Sequence, residues 1–410
     1  MFRDLPNNWK KKKIGELCDV SRGSSPRPIR DQRYFEGGSI PWVKIADATK
    51  SGKFLYETKQ YVNEYGASFS RLLPPGTILV AASGTLGYTQ ILGVEACAHD
   101  GWLILQNLRG LDRDFAYYTL QWMEQHFYNA AYGAAIQNIN TIILKDTEIP
   151  YPPLPTQRKI AAILSAYDDL IENNTRRIQI LEEMAQTIYR EWFVHFRFPG
   201  HENVPMVDSG TELGEIPEGW EVKLLVEVCD LVIGQSPKSE FYNESGDGLP
   251  FHQGVSNFGR RFPTHKIYCT VTNRIALPGD ILFSVRAPVG RLNIADRKLV
   301  IGRGLHAIRD KRGHRYFLYQ QLKDRFYEED MMGGGTIFKS VTKSDMLELP
   351  LIQPTGMILS EFERNLKPIA VLIENLTKSN IILYSSREIL LPRLISGQVD
   401  LSELEIEDRP

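Results

Sequence analysis

The chain has 410 residues, 42% of them hydrophobic and 24% charged. That length exceeds one ordinary hydrophobic core and predicts two domains, and the composition is that of a soluble globular protein. No run approaches the roughly 18 apolar residues of a membrane span, and the opening MFRDLPNNWKKKK lacks the apolar stretch of a signal peptide.

The net charge of −2 averages unlike regions. Residues 1–60 carry eight Lys and five Arg against seven acids, and residues 256–315 carry thirteen Lys and Arg against three acids. Such clusters in a near-neutral chain are the footprint of a phosphate-facing surface, or of solvated loops. Cys18, Cys97, Cys229 and Cys269 form no C-x-x-C pair, which argues against zinc and disulfides and for a reducing, cytoplasmic compartment.

In chain order, residues 1–153 form the first globular segment. Its apolar runs are short and broken by Gly and Pro: Ile40–Ile45, Thr77–Ala82 and Trp102–Leu105 read as strands, and Asp114–Tyr128 as a helix. The mixture predicts an α+β domain. Pro152 and Pro153 stop it, and Thr156 is a candidate helix N-cap. A long helix follows over 154–198, free of Pro and Gly from Gln157 to Phe196. Its apolar residues fall at Ile160, Ile163, Tyr167, Leu170, Ile178, Leu181, Ala185, Ile188 and Trp192, a heptad seam. Asn174 interrupts that seam, either buried as a register-setting residue or turned to solvent. Residues 199–215 are a polar linker.

The second globular segment spans 216–353. A second long helix occupies 354–397, with Ser360–Glu363 as a candidate capping box. Leu366, Ile369, Ile373, Leu376, Asn380, Leu383, Leu390 and Leu394 form its seam. Pro368 and Pro392 predict a kink or a late start, Gly397 is a natural stop, and residues 398–410 are an acidic tail.

The two halves repeat. Trp9, Glu16, Cys18, Asp19, Gly23 and Ser25-Pro26 fall without a gap on Trp220, Glu227, Cys229, Asp230, Gly234 and Ser236-Pro237. Pro75-Gly76-Thr77-Ile78-Leu79 with Gly87 matches Pro278-Gly279-Asp280-Ile281-Leu282 with Gly290, and Ile171-Glu172-Asn173 matches Ile373-Glu374-Asn375. A period of roughly 200 residues is far above the 20–50 of a solenoid unit, so this is a duplicated domain plus helix. The two seams predict an antiparallel helix pair and a pseudo-twofold repeat.

Catalytic patterns are weak. Gly302-Arg303-Gly304 imitates a dinucleotide fingerprint, but its repeat equivalent lacks the first glycine. Glu221-Val222-Lys223 after Asp208 imitates a nuclease site and reads better as a strand start. The histidines show no metal-ligand spacing, and Gly333–Gly335 reads as a turn. Recognition chemistry remains. Ser83-Gly84-Thr85-Leu86-Gly87-Tyr88 matches the loop Val285–Arg291, with different polar side chains on one scaffold. Arg suits guanine, Asn and Gln suit adenine, and Ser and Thr suit either base, so unlike loops can read unlike sequences. Ser83 and Thr85 also read as ordinary turn residues.

These residues resemble the DNA-specificity subunit of a Type I restriction-modification system. The likeness rests on W-x₆-E-x-C-D-x₃-G-x-S-P at Trp9 and Trp220, the Pro-Gly-x-Ile-Leu runs and the helix entry Leu154–Ile160. Ile171–Asn174 and the ending Leu390–Gly397 complete it. Pro354–Ile358 departs from the Gln-Arg-Lys entry of the first helix. The resemblance implies a cytoplasmic prokaryotic protein with two target-recognition domains separated by antiparallel coiled-coil helices. Its implied partners are double-stranded DNA, two modification subunits and restriction subunits. It implies no cofactor on this chain: S-adenosylmethionine belongs to the modification subunit, and ATP and Mg to the restriction subunit. It implies no catalysis here either, and no Asn/Asp-Pro-Pro-aromatic motif occurs, Tyr151-Pro152-Pro153-Leu154 being the nearest imitation. The candidate DNA-binding set in the first domain is Arg27, Lys44, Ser83, Thr85, Tyr88, His99, Gln137 and Asn138. In the second it is Lys238, Gln253, Asn257, Arg260, Arg286, Arg291, Arg303 and Lys339. Two other readings stay open: a protein-binding adaptor, which would show no salt-dependent DNA affinity, and a self-contained DNA methyltransferase or nuclease, which would act alone.

Overall fold

The computed structural model describes residues 5–49, 51–131, 138–331 and 341–405. The first half contains β1 (Lys10–Lys13), β2 (Asp19–Arg22), β3 (Ile40–Val43), β4 (Phe54–Leu55), β5 (Tyr61–Val62) and β6 (Arg71–Leu73). β7 (Ile78–Ala81), β8 (Thr89–Leu92), β9 (Ala96–Ala98), β10 (Trp102–Gln106), α1 (Arg113–Trp122), α2 (Glu124–Ala131) and β11 (Glu148–Tyr151) follow, then the long helix α3 (Leu154–Phe193). The second half contains β12 (Glu221–Leu224), β13 (Cys229–Ile233), β14 (Leu249–His252), β15 (Tyr268–Cys269), β16 (Ile281–Ser284), β17 (Leu292–Ile294), β18 (Leu299–Ile301) and β19 (Leu305–Asp310). α4 (Arg315–Met331), β20 (Pro350–Gln353) and the second long helix α5 (Gly356–Ile395) complete it. Two compact units result: residues 1–173 with 380–410, and residues 174–379. Both long helices cross from one unit into the other.

In the first unit a five-stranded sheet has the order β2–β10–β7–β8–β4, and a four-stranded sheet the order β5–β3–β9–β6. Side chains alternate along each strand. Ile78 and Val80 of β7 therefore pack with Leu103, Leu105 and Phe115, while Leu79 and Ala81 pack on the other face with Trp102 and Ile104. Burial on both faces is why these strands read as unbroken apolar runs rather than alternating ones. β1 pairs with β11, which leads directly into α3. Ile160, Ala161 and Leu164 of α3 share the core with Leu391, Leu394 and Ile395 of α5. Arg387 reaches Asp168 at 2.5 Å, and Asn380 donates to the Ile171 carbonyl at 3.3 Å. The partner numbers fall as the α3 numbers rise, so the helices run antiparallel here.

The second unit repeats the plan. Its main sheet has the order β13–β19–β16–β17, β12 pairs with β20, and β14 lies parallel to β18 as β3 lies parallel to β9. Ile281 and Phe283 pack on Leu318 and Leu322 of α4, while Leu282 faces Leu305 and Ala307. On the helices, Ala185, Tyr189 and Phe193 of α3 pack against Leu366, Phe362 and Leu359 of α5, again antiparallel.

A buried cation marks the same place in each unit. The Ile91 N–H donates to the Lys53 carbonyl, and its repeat equivalent Ile294 donates to the Arg261 carbonyl. Lys53 meets Asp114 and the Ser165 hydroxyl, both at 2.8 Å. Arg261 lies 4.6 Å over the Tyr319 ring, and its Nε has no hydrogen-bond partner among the described residues. In the first unit the Tyr118 hydroxyl also donates to Asp168, at 2.6 Å.

Several expectations need correction. The single helix over Asp114–Tyr128 is two helices, broken at Met123, whose backbone leaves the helical region at φ −86°, ψ 0° and whose side chain is buried. The strand expected over Ile40–Ile45 ends at Val43, because Asp47 accepts from the Lys44 N–H and starts a helical turn over Ile45–Ala48. α3 begins at Leu154, so Thr156 lies inside it rather than at its cap. α5 begins at Gly356 and runs through Pro368 and Pro392. Ser360–Glu363 is thus helix interior, and Glu363 serves another helix by accepting from the Phe317 N–H at 2.7 Å at the start of α4. Packing on both sides of Pro368, through Leu366 and Ala370, outweighs its missing hydrogen bond. Gly397 ends α5 at φ +74°, as expected, and of the two readings of Asn174 the buried one is seen. All four cysteines are buried.

Candidate nucleic-acid interface

Each unit gathers three connections at one sheet edge, and the backbone bonds that hold them repeat pair by pair. After β2, the Gly23 N–H donates to the Trp102 carbonyl and Ser24 N–H to Ala98. After β13, Gly234 donates to Leu305 and Gln235 to Ile301. A Cβ on Gly23 would lie 2.2 Å from the His99 carbonyl oxygen, and one on Gly234 would lie 2.1 Å from that of Gly302. Neither approach tolerates a side chain, which gives both repeated glycines one physical reason.

The second connection is a tight turn between two successive strands: His99-Asp100-Gly101 joins β9 to β10, and Gly302-Arg303-Gly304 joins β18 to β19. His99 N–H donates to the Val43 carbonyl, and Gly302 N–H to His252. Lys44 and Gln253 follow those acceptors and hold matching places. The Asp100 N–H donates to the Ser25 hydroxyl at 3.2 Å, and Arg303 N–H to the Ser236 hydroxyl at 3.2 Å. The third connection is the loop after β7 or β16. The Ala82 N–H donates to Gly101, and Val285 N–H to Gly304; Ile139 and Val341 then donate to the carbonyls of Ala82 and Val285. The frame is one frame built twice, and its side chains differ.

In the first unit, positive and polar groups converge on Asp100. Its Oδ1 lies 3.0 Å from His99 Nε2 and accepts from the Ser25 hydroxyl at 3.1 Å; its Oδ2 accepts from Arg27 Nη2. Arg22 Nε donates to the Asp100 carbonyl at 2.8 Å. His99 Nδ1 accepts from the Gly101 N–H, so the neutral ring carries its proton on Nε2 and donates it to Asp100. Burial lowers the His99 pKa against the pull of Asp100. Burial opposes ionisation of Asp100, but His99, Ser25 and Arg27 together hold its pKa below the ordinary range. The Lys44 ammonium lies 4.7 Å over the Trp42 ring, itself 5.4 Å from the His99 ring, and donates to the Gln60 amide oxygen.

In the second unit the same places carry Lys238, Gln253, Gly302 and Arg303, with no carboxylate among them. Lys238, Gln253, Arg286 and Arg303 are exposed, and the Arg303 guanidinium has no hydrogen-bond or ion-pair partner among the described residues. Behind Gln253, His252 Nε2 lies 3.0 Å from His265 Nδ1, and His265 Nε2 lies 3.0 Å from Asp296. Burial, then His265, holds the His252 pKa down to about 4.

The structure therefore brings Arg27, Lys44, Ser83, Thr85, His99 and Asn138 to one edge of the first unit. It brings Lys238, Gln253, Arg286, Arg291 and Arg303 to the matching edge of the second. Thr85 is exposed, whereas the Tyr88 hydroxyl donates inward to the Ala48 carbonyl at 3.0 Å. Arg260 stands apart, its guanidinium 3.4 Å from Glu182 on α3. Asn257 stands apart too, its carbonyl accepting from Thr264 in a turn. Gln137, Lys339 and Gly333–Gly335 lie outside the described residues. Arg22, Ser25, Asp100 and Ser236 were missed. The repeated Ser-Pro pairs carried a signal for the two serines, but nothing local marked Asp100. Gly302–Gly304 leads into a strand rather than a helix, which removes the dinucleotide reading, and Glu221–Lys223 lies in β12. Among the described residues no group of three or more His, Cys, Asp or Glu is placed to hold a metal, and no helix is long and apolar enough to cross a membrane.

The Type I restriction modification DNA specificity domain matches this chain twice, over residues 6–183 and 217–366. The chain belongs to the Type I restriction-modification DNA-specificity family. It is 33% identical to the putative type I restriction enzyme MjaX specificity subunit of Methanocaldococcus jannaschii, over 97% of this chain and 95% of that one. It is 28% identical to the MjaIX specificity subunit of the same organism, over 98% and 95%. Among solved structures, the Type I restriction-modification S subunit of M. genitalium shares the fold with a TM-score of 0.61, at 19% identity over 96% of this chain and 98% of that one.

Proposed function

We propose that this chain is the DNA sequence-specificity subunit of a Type I restriction-modification complex, each domain reading one half of a bipartite target. The observation that carries the reading is the duplicated edge: one backbone frame, held by matching bonds at Gly23 and Gly234 and at Ser25 and Ser236, presents unlike side chains. A frame copied with altered contents suits a protein that must find two different sequences with one kind of domain. The residues on it are hydrogen-bond donors and acceptors, which suits reading bases. The chain is a recognition subunit, and the base it selects is methylated by its partner.

The helices shared by both units set the length of the unread spacer. At about 1.5 Å per residue, a 40-residue helix is about 60 Å long. The same helices dock the two modification subunits. Leu170, Ile381, Ile382 and Ile389 in the first unit, and Ile180, Met184 and Leu372 in the second, are exposed apolar residues on helix surfaces, which supports that role. Restriction subunits complete the assembly.

The test is methylation mapping in a host that carries this chain with its modification subunit. The expected motif has two defined halves and an undefined spacer. Binding of the complex to that motif should fall linearly in log affinity with log salt. Arg286→Ala should lower discrimination at one half by roughly 1–3 kcal/mol and leave the other unchanged. A continuous motif, salt-independent binding, or equal loss at both halves would each refute the reading.

A further inference from the structure

We infer that Asp100 is a positioning residue for one half-site, holding Arg27 and His99 in a single reading orientation, and that Arg303 at the matching place is a direct reading residue for the other half. The inference rests on the DNA-reading function proposed above.

An acid at a DNA-facing edge repels phosphate, so its presence there needs a reason. Both carboxylate oxygens of Asp100 are engaged by neighbouring side chains. One oxygen serves Ser25 and His99, the other serves Arg27, and its backbone is pinned through Ser25 and Arg22. A carboxylate used up in this way has little left for a base. It does fix its neighbours. A guanidinium has five N–H donors in a rigid fork, and here one nitrogen is engaged while the side chain stays 68% exposed, so the rest of the fork faces outward at a set angle. The His99 ring, held from Gly101 on one nitrogen and by Asp100 on the other, cannot turn over.

The second unit shows the alternative. Gly302 replaces His99, Lys238 replaces Arg27, and Arg303 replaces Asp100. The turn is held by the same serine bond, so the backbone at position 303 points as it does at position 100. Lys238 lies 3.8 Å from Glu240, but no acid joins it to Arg303, and the exposed Arg303 fork is free for a bidentate contact to guanine.

The two roles predict opposite signs on DNA lacking the target. The complex with its modification subunits is titrated with four duplexes: the mapped motif, the motif with either half scrambled, and a fully scrambled duplex. Asp100→Asn keeps acceptors for Ser25 and His99 but releases Arg27. It should lower discrimination at one half by roughly five- to 150-fold, while affinity for fully scrambled DNA stays level or rises because a negative charge is gone. Arg303→Ala should lower discrimination at the other half and also weaken binding to scrambled DNA. Arg27→Ala should affect the same half as Asp100→Asn, and the losses in the double variant should fall short of multiplying, because one residue acts through the other. Losses that multiply, an Asp100→Asn effect on both halves, weakened binding to scrambled DNA, or unchanged discrimination would each overturn the inference. If the unaltered complex discriminates at neither half, the DNA-reading function itself falls.

Discussion

Lengthening the helix pair should lengthen the DNA spacer by a calculable amount. The perturbation is one seven-residue insertion between Asn173 and Asn174 of α3 and another between Ser379 and Asn380 of α5. These points mark the division between the two units and lie at one level of the pair, since the Asn380 amide donates to the Ile171 carbonyl. Seven residues fall only about 20° short of two full turns, so the apolar seams stay in phase. The insertion adds about 10 Å of helix to each arm. At about 3.4 Å per base pair the preferred spacer should grow by roughly three base pairs, with both half-site sequences unchanged. Methylation mapping of a host carrying the variant with its modification subunit measures the spacer directly. An active variant with an unchanged spacer would show that the helices do not set it.

Three further outcomes are expected. Gly234→Ala places a Cβ against the Gly302 carbonyl, so it should cost about 1–3 kcal/mol and erase recognition of one half-site alone, read by binding to half-scrambled probes. Asp168→Ala leaves Arg387 with Glu388 as its remaining acid and the Tyr118 hydroxyl with only the longer bond to Ser165, and should destabilise the first unit by about 1–3 kcal/mol in denaturant unfolding. Burial, against the bonds from Phe317 and Tyr316, raises the Glu363 pKa from 4.5 to about 7. The folded chain then holds more protons than the unfolded chain between those values, so stability falls as pH rises from about 4.5 to 7. Glu363→Gln keeps the acceptor for Phe317 and should flatten that slope, seen as a Tm that varies less across pH 5 to 8.

The architecture was legible because duplication writes its own check. Trp9 with Trp220 and Gly23 with Gly234 located the domain starts, and runs without Gly or Pro located the helices. Element ends were less legible where a distant residue decides them. Glu363 looks like a cap for its own helix but serves α4, and Met123 breaks a helix because its side chain is needed in the core. At the candidate interface, cations and amides were readable as donors to DNA. Asp100 was not, since its role depends on Arg27 and His99, which only the fold brings beside it. Lys44 and Gln253 show a second limit: the residues between each of them and its turn differ in number, so their equivalence appears only through the carbonyls of Val43 and His252.

The buried cations have an evolutionary consequence. Recombination that carries a domain from the first seat to the second would take Lys53, Asp114 and Tyr118 together. The helix they met at Ser165 and Asp168 would be replaced by the matching stretch of α5, which offers Lys367 and Ala370. The Lys53–Asp114 pair travels intact, but the Tyr118 hydroxyl arrives with no acceptor at position 370, at a cost of about 1–3 kcal/mol. A newcomer drawn from the same seat of a related chain faces no such mismatch when that chain keeps the acid. The seats are keyed, so new specificities should arise more readily by replacement within a seat than by shuffling between the two.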